Sequence, residues 1–268
     1  MKSLVAVAIA CALAGAPLSA QESVVAPARS TELRFKPFAQ PAGPPPTPTH
    51  TGVKALVKGL GRDFAQLPSK ENLFWAIGGG ASALAAHQVD AYVQAHVVGN
   101  PRADAFFGPG RVIGLVVPIG GSVATYAWGR IRNVPKVSHV GSDLIRSQIV
   151  AQALTVSLKY TTRRERPDQS GATSFPSGHA ASTFAFATAL ERHLGWRYAV
   201  PAFAGAFYVA ASRLPANRHW FSDVVFGATV GIISGRTVTT REAQPYPVSL
   251  ASIPGGVMFV ATPRRFNR

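Results

Sequence analysis

Residues 174–191 read SFPSGHAASTFAFATALE, a polar turn that leads directly into an apolar stretch with the length of a helix. A Ser-Gly turn that opens a helix presents free backbone N–H groups, and such groups bind anions. Gly178 also lets a ligand approach the backbone closely, and His179 falls in the first helical turn. The alternative is a plain N-cap, in which Ser177 stabilises the helix and His179 has no chemical role.

Apolar stretches of this kind recur along the chain from about residue 53 to residue 236, separated by Gly, Pro or charged residues. They are Leu73–Ala86, Val112–Trp128, Ile149–Leu158, Ala180–Leu190, Tyr198–Ser212 and Val224–Gly235. None is an uninterrupted run of about 20 apolar residues, which is the length that crosses a bilayer. The pattern predicts an all-α fold, a helical bundle of about six core helices, and is compatible with membrane association.

Composition narrows the classes of protein that the chain can belong to. Hydrophobic residues make up 47% of the 268 residues and charged residues 15%, which excludes a disordered chain and supplies a sizeable core. Lys and Arg number 27 against 12 for Asp and Glu, which predicts an anionic partner. Cys11 is the single cysteine, so an intrachain disulfide and cysteine-based metal sites are excluded.

The first 20 residues have the pattern of a secretory signal peptide. Lys2 precedes an apolar run from Leu4 to Leu18, and the pair Ser19-Ala20 provides small residues for cleavage. A lipoprotein signal ending at Cys11 is the weaker alternative, because the residues before that cysteine match a lipobox poorly. The pattern therefore predicts export, with cleavage near Ala20.

Three further segments follow the signal peptide. Residues 21–50 are crowded with proline and predict an extended linker without a packed core. Residues 51–240 hold the predicted helical domain. Residues 241–268 form a basic tail, in which the Pro-Gly-Gly at 254–256 favours a small hairpin and a frayed end is the alternative.

Residues 159–167 read KYTTRRERP and place two cations seven residues apart. On a helix, Lys159 and Arg166 would lie two turns apart on one face, and Pro167 disfavours helical continuation. Two aligned cations at a helix end suit a phosphate, which Arg can bind through two hydrogen bonds. A solvated basic face is the alternative, since two further arginines extend the run.

Residues 212–223 read SRLPANRHWFSD and contain a histidine four residues before an aspartate. His219 and Asp223 can meet on one helical face at this spacing. A carboxylate bonded to one imidazole nitrogen fixes the tautomer and leaves the other nitrogen as a nucleophile or base. Arg213 lies just before this pair, within reach of the same site. The alternative is a His–Asp hydrogen bond that only stabilises a turn.

The three segments together give Lys-x6-Arg-Pro, Pro-Ser-Gly-His and Ser-Arg-x5-His-x3-Asp in this order. This pattern resembles the type 2 phosphatidic acid phosphatase and vanadium haloperoxidase superfamily, over roughly residues 70–240. The resemblance implies a helical bundle and, in the phosphatase branch, catalysis without a metal or other cofactor. It also implies that His219 is the nucleophile, that Asp223 orients it, and that His179 is first the general acid and then the general base.

The resemblance implies a phosphate-binding set as well. Its members, which would hold the non-bridging oxygens, are Lys159, Arg166, Ser177, Gly178 and Arg213. Fixed cations and N–H donors at these oxygens stabilise the transition state, because charge is concentrated there during phosphoryl transfer.

These features predict an exported, metal-independent phosphatase that hydrolyses phosphate monoesters or pyrophosphates, most of all of lipids, through a phosphohistidine. We expect it in the cell envelope, associated with the membrane surface, with its active site on the periplasmic side. The alternatives are a soluble periplasmic acid phosphatase of broad specificity and a vanadate-dependent haloperoxidase. A non-enzymatic anion-binding or nucleic-acid-binding protein is a fourth class, but the chain carries no nucleic-acid motif.

The remaining histidines give weaker signals. His87 and Asp90 are three residues apart at the end of an apolar stretch, which permits a metal ligand pair. No third ligand stands out, so a simple hydrogen bond is favoured. Four other histidines show no partner pattern, namely His50, His96, His139 and His193. The sequence therefore predicts neither a metal site nor a cofactor.

Overall fold

The computed structural model describes residues 47–48, 51–240, 248–253 and 256–261. Residues 51–240 are built from helices, which confirms the predicted all-α bundle. In chain order these are α1 Val53–Gln66, α2 Lys70–His87, α3 Asp90–Val97, α4 Pro101–Phe107, α5 Gly110–Leu115, a π-helical turn Val116–Gly120, α6 Gly121–Ile131, α7 Pro135–Thr162, α8 Gly178–Leu194, α9 Trp196–Ser212 and α10 Phe221–Thr239.

The C-terminal tail contains two short strands, β1 (Val248–Ile253) and β2 (Gly256–Ala261), which pair in antiparallel register. The predicted signal peptide, residues 1–20, lies outside the described residues. The predicted linker, residues 21–50, lies outside them too except for residues 47 and 48.

Helices α8 and α10 pack against each other at the centre of the bundle, with α7 beside both. A stripe of glycines on α10 permits the close approach, because a Cβ at Gly227 would lie 2.5 Å from the Ser177 carbonyl oxygen and one at Gly231 would lie 2.4 Å from that of Ala181. Small residues at four-residue spacing allow two helix backbones to touch in this way. The contact brings the N-terminal ends of the two helices together, and Ser177 N–H donates to the Asp223 carbonyl at 2.9 Å.

Helix α7 is longer than the sequence pattern predicts. The apolar stretch covers Ile149–Leu158, but the helix begins at Pro135 and its polar first half is also buried. Polar side chains in the interior require partners, and Arg146 supplies several of them by pairing with Asp143 and with Asp63 of α1. Hydrophobic periodicity therefore misses this half, because the residues that pack there are polar.

The outer surface of the bundle is rich in exposed apolar side chains. They are spread over several helices, as Ile77 and Leu84 of α2, Val112 and Ile131 at the ends of α5–α6, and Phe207 of α9 illustrate. The continuous helix Gly110–Ile131 is long and apolar enough to cross a membrane, and only 22% of its apolar window is buried. Large exposed apolar surfaces of soluble proteins mark contacts with membranes or partners.

Candidate active site

Four helix ends meet at one end of the bundle and carry all three predicted segments. Helix α7 ends at Thr162 and α9 at Ser212, while α8 begins at Gly178 and α10 at Phe221. The loops between them hold the candidate residues that do not lie in the helices themselves. The structure therefore brings segments that are up to 64 positions apart in the sequence, from Lys159 to Asp223, into one site.

His179 lies in the first turn of α8, as its sequence context predicts. Helix α5 covers one side of the ring, since a Cβ at Gly114 would lie 2.9 Å from the Cδ2 atom of His179. Burial, together with the positive charge of Arg213 and the proximity of His219, lowers the pKa of His179 to about 4. The imidazole is therefore neutral at physiological pH.

His219 is buried in the loop before α10. Its Nδ1 atom lies 2.7 Å from the backbone carbonyl oxygen of Ser174. Since a carbonyl oxygen only accepts hydrogen bonds, Nδ1 carries the proton and Nε2 keeps its lone pair. Burial lowers the pKa of His219 below its usual value, although Asp223 acts in the opposite direction.

Asp223 is placed differently from the expected helical pair. Helix α10 begins at Phe221, so His219 precedes it and the two side chains do not share a helical face. The Nδ1 atom of His219 lies 3.8 Å from Oδ2 of Asp223, beyond hydrogen-bond distance. Asp223 instead accepts hydrogen bonds from Ser174 Oγ at 2.5 Å and from the Trp220 amide at 2.9 Å. Asp223 and His219 thus both contact Ser174, the first at its hydroxyl and the second at its carbonyl.

Lys159 and Arg166 also depart from the expected geometry. Helix α7 ends at Thr162 and Arg163 adopts the left-handed conformation, so Arg166 lies in the following loop and not two turns further along the helix. Lys159 remains in the last turn and donates to the Thr173 and Ser174 carbonyls, at 2.5 and 3.3 Å. Burial and the Arg166 charge lower the pKa of Lys159 to about 8, which places the two cations close together.

Arg213 is buried directly after α9. Burial and the charges of Arg111, Arg218 and Arg166 lower its pKa to about 10, so several cations crowd this region. Among the described residues, the Nε atoms of Arg166 and Arg213 are buried without a hydrogen-bond partner. Buried donors in this condition are rare in folded proteins, so these two nitrogens are available to bind an anion.

Ser177 and Gly178 have structural roles in the unliganded protein. Ser177 is the N-cap of α8, and its hydroxyl accepts from the Ala180 amide at 3.5 Å. Its own amide is already bonded to the Asp223 carbonyl. Gly178 opens the helix, where backbone N–H groups lack intrahelical partners. The N-cap alternative is thus realised for Ser177, while binding of a phosphate by Gly178 stays a prediction.

Arg164 is a site residue that the sequence did not single out. It lies between the motif positions Lys159 and Arg166, in a run of arginines whose spacing gives no signal, yet its Nη1 atom donates to Oδ1 of Asp223 at 2.6 Å. The predicted His87–Asp90 hydrogen bond is present at 2.8 Å, and Arg164 contacts this pair as well.

A second histidine cluster lies at the opposite end of the bundle. His139, Asp143 and His193 place potential ligand atoms within 4.8 Å of one another, and all three residues are buried. The sequence reasoning that assigned no partner pattern to His139 and His193 was wrong, because His139 and Asp143 have the same four-residue spacing as His219 and Asp223. A metal ion there would have to displace Arg146 from Asp143.

Two buried histidines and several cations meet at one end of a helical bundle, an arrangement with the chemistry to bind a phosphate-like anion. The sequence profile of the PAP2 superfamily matches residues 141–244, which include every predicted site residue. The chain is therefore similar to the PAP2 superfamily over this segment, which is less than half of its length.

Individual relatives match shorter parts of the chain. A lipid A 1-phosphatase of Porphyromonas gingivalis is 46% identical over 80 residues, which are 29% of this chain and 18% of that protein. The chain thus matches less than a fifth of the length of this curated relative.

Two solved structures are also similar. LpxE of Aquifex aeolicus has 28% identity and a TM-score of 0.42, over 51% of this chain and 84% of that one. A transmembrane PAP2-type phosphatidylglycerolphosphate phosphatase of Bacillus subtilis has 20% identity and a TM-score of 0.47, over 66% and 94%.

Proposed function

We propose that the chain is an exported, metal-independent phosphatase that hydrolyses a phosphate monoester or pyrophosphate of a lipid through a phosphohistidine. One observation carries this proposal: two neutral histidines lie beside buried arginine nitrogens that have no hydrogen-bond partner. A phosphate would satisfy those donors, and its phosphorus would then lie within reach of a ring nitrogen.

In the first step, Nε2 of His219 attacks phosphorus and the bond to the leaving oxygen breaks. The hydrogen bond from Nδ1 to Ser174 holds the ring for this attack. His179 gives its proton to the leaving oxygen. The negative charge of the bound phosphate favours the protonated ring, so its pKa rises from about 4 once substrate is bound. Arg166, Arg213 and Lys159 stabilise the charge on the three equatorial oxygens.

In the second step, the phosphohistidine is hydrolysed. His179, now neutral, takes a proton from water, and the water oxygen attacks phosphorus. The bond between Nε2 and phosphorus breaks, which releases inorganic phosphate and restores His219. Asp223 pairs with Arg164 at 2.6 Å and supports the positive charge that the histidine carries in the intermediate.

The surface of the molecule supports a lipid as substrate. Exposed apolar side chains cover the outer helices, while polar side chains fill the interior of α7, an arrangement that suits a bundle surrounded by lipid. A cavity of about 380 Å³ lies beside Arg164 and has apolar walls that include Leu84, Phe175 and Phe226. The matched relative is a lipid A 1-phosphatase, which makes the 1-phosphate of lipid A a first substrate to test.

The same surface argues against the soluble acid phosphatase. A soluble protein would have to keep Val112, Ile131 and Leu84 in water, each more than 60% exposed.

The proposal that the protein is exported depends on the first 20 residues, which have the pattern of a signal peptide. N-terminal sequencing of the envelope protein tests it, because an intact Met1 would contradict cleavage near Ala20.

Phosphate release by the purified full chain in detergent tests the activity. The substrates are phosphatidic acid, undecaprenyl pyrophosphate, lipid A 1-phosphate and p-nitrophenyl phosphate, with His219→Ala as the matched control. We expect at least one lipid to be hydrolysed with a kcat/KM at least about tenfold above that of p-nitrophenyl phosphate, a difference of about 1.4 kcal/mol in transition-state stabilisation. Equal release by wild type and His219→Ala would overturn the proposal, and a preference for p-nitrophenyl phosphate would favour the acid phosphatase.

A further inference from the structure

We propose that Arg164 and Asp90 form a positioning pair that holds Asp223, and through it His219, in the geometry needed for phosphoryl transfer. This inference rests on the proposed function but adds two residues that lie outside the motif positions. Neither residue is placed to touch the phosphate, so their effect passes through other side chains.

Arg164 uses both ends of its guanidinium to bridge two carboxylates. The Nη1 atom donates to Asp223 Oδ1 at 2.6 Å and to Ser222 Oγ at 2.7 Å. The Nη2 atom donates to Asp90 Oδ2 at 2.8 Å. The guanidinium also lies 5.6 Å from the centre of the Trp220 ring, within the range of a cation–π contact. Both terminal nitrogens of the Arg164 guanidinium therefore have hydrogen-bond partners, whereas the Nε atoms of Arg166 and Arg213 have none.

Asp90 connects this guanidinium to the rest of the fold. It is the first residue of α3 and is almost completely buried. Its side chain accepts from the Ser222 amide at 2.8 Å, from Ser222 Oγ at 2.6 Å and from His87 Nδ1 at 2.8 Å. Burial acts to raise the pKa of Asp90, but the hydrogen bonds from Ser222, Arg164 and His87 outweigh it and keep the pKa below its usual value. The carboxylate is therefore ionised and anchors the first turn of α10.

From Asp223 a chain of short hydrogen bonds leads to the nucleophile. Oδ1 of Asp223 faces Arg164, and Oδ2 accepts from Ser174 Oγ at 2.5 Å. The Ser174 carbonyl in turn accepts from His219 Nδ1 at 2.7 Å. Since Asp223 lies 3.8 Å from the ring and does not bond to it directly, the orientation of the ring depends on where Asp223 is held.

The test separates positioning from phosphate binding. We compare Arg164→Gln, Arg164→Lys and Asp90→Asn with Arg163→Gln, an exposed neighbour that removes the same charge. We expect Arg164→Gln and Asp90→Asn to lower kcat by about 10-fold to 100-fold, while the inhibition constant of inorganic phosphate changes by less than about twofold. Arg164→Lys restores part of kcat, and Arg163→Gln keeps the wild-type value. Arg166→Gln, in contrast, weakens inhibition by phosphate.

A double-mutant cycle with Asp223→Asn shows whether Arg164 acts through Asp223. We expect Arg164→Gln to change kcat by less than about threefold in the Asp223→Asn background, because the group that it positions is already lost. Equal effects in both backgrounds would overturn the inference, as would wild-type kcat in Arg164→Gln or a weakened phosphate inhibition with unchanged kcat. A wild-type enzyme that releases no phosphate would instead contradict the proposed function itself.

Discussion

Two His-x3-Asp pairs in this molecule have the same spacing and similar separations of their side chains, but different surroundings. His139 Nδ1 lies 3.5 Å from Asp143 Oδ1 within α7, and His219 Nδ1 lies 3.8 Å from Asp223 Oδ2 at the start of α10. All four side chains are buried. At 1.5 Å per residue, the 20 positions of α7 from His139 to Lys159 place the pairs about 30 Å apart, at opposite ends of the bundle.

The two His–Asp pairs differ in the charged groups that surround them. Asp143 accepts from Arg146 and from His193 Nε2 at 3.1 Å, and Arg146 also bonds Asp63 at 2.7 and 2.9 Å. The His139 and His193 rings meet edge to face with centres 5.0 Å apart. Around His219, cations crowd together: burial and then neighbouring cations lower the pKa of both Lys159 and Arg213. The same spacing creates a His–Asp pair at both ends of the bundle, but the pair at His219 lies among closely spaced positive charges.

The largest expected difference between the pairs is the change in turnover when the histidine of each pair is replaced by alanine. His219→Ala removes the proposed nucleophile, so we expect turnover to fall by at least about 10⁴-fold with every substrate and no labelled phosphoenzyme. His139→Ala leaves the distant site intact, so we expect kcat/KM within about twofold of wild type and a lower melting temperature. Phosphate release and thermal unfolding in detergent measure both. If His219→Ala still became phosphorylated by labelled substrate, His219 could not be the nucleophile.

The two histidines within the active site are expected to differ as well. His179→Ala removes the proposed proton donor to the leaving oxygen, and such donors contribute about 10²-fold to 10⁴-fold in general acid–base catalysis. We expect phosphorylation by an alkyl phosphate to slow by this amount and phosphorylation by p-nitrophenyl phosphate to slow much less, because that anion leaves without a proton. A phosphohistidine accumulates, since water activation is lost. Rapid quenching without acid measures the phosphorylation rates and the amount of phosphohistidine. Equal slowing with the two substrates and no trapped phosphohistidine would contradict the roles proposed for His179.

The sequence contained most of the site but not its geometry. The joint order of the three motifs predicted that His179, Lys159 and Arg213 share one site, and the structure places them at one end of the bundle. The helical face assumed for Lys159 and Arg166 was wrong, because the left-handed Arg163 ends α7 four residues after Lys159. Local backbone conformation of this kind depends on tertiary packing, which a residue pattern does not contain.

Arg164 and the polar half of α7 were missed for a related reason. The contacts of Arg164 run to α3 and α10, 74 and 59 positions away, and no local pattern encodes them. The residues His139, Asp143 and Arg146 look like a solvent-exposed segment to a hydrophobicity argument, but they pair with one another in the interior. A search for the His-x3-Asp spacing along the whole chain would have found the pair in α7.

A substitution at Arg166 tests whether the shape of the guanidinium matters as well as its positive charge. Arg166→Lys keeps the positive charge but loses the fork geometry that binds two oxygens. We expect kcat/KM to fall by about tenfold or more, equivalent to at least about 1.4 kcal/mol of transition-state stabilisation. Arg163→Lys, in an exposed position outside the site, serves as the matched control. A wild-type kcat/KM in Arg166→Lys would place Arg166 on a solvated face.

The dependence of kcat/KM on pH above neutrality tests the role of Lys159. Because the pKa of Lys159 is lowered to about 8, its ammonium is charged below pH 8 and loses its proton above it. We expect kcat/KM to fall about tenfold per pH unit above this value as one phosphate-binding charge is lost. In Lys159→Arg the guanidinium stays protonated, so the fall moves to a higher pH. An unchanged alkaline limb in Lys159→Arg would exclude Lys159 as its source.

The smallest expected effect is that of a metal chelator, and it tests whether the pair in α7 is a metal site. A divalent ion bound to His139, Asp143 and His193 would leave the guanidinium of Arg146 buried beside it with half of its partners lost, which is costly in a protein interior. We therefore expect EDTA to change phosphate release and the melting temperature by amounts within error, and elemental analysis of the purified chain to find far less than one zinc per molecule. His193→Ala is the matched control, because it removes one potential ligand without touching the catalytic end. Activity that collapses in EDTA and returns with a divalent ion would refute metal independence, whereas a melting temperature that rises with zinc in wild type but not in His193→Ala would make the cluster in α7 a structural metal site.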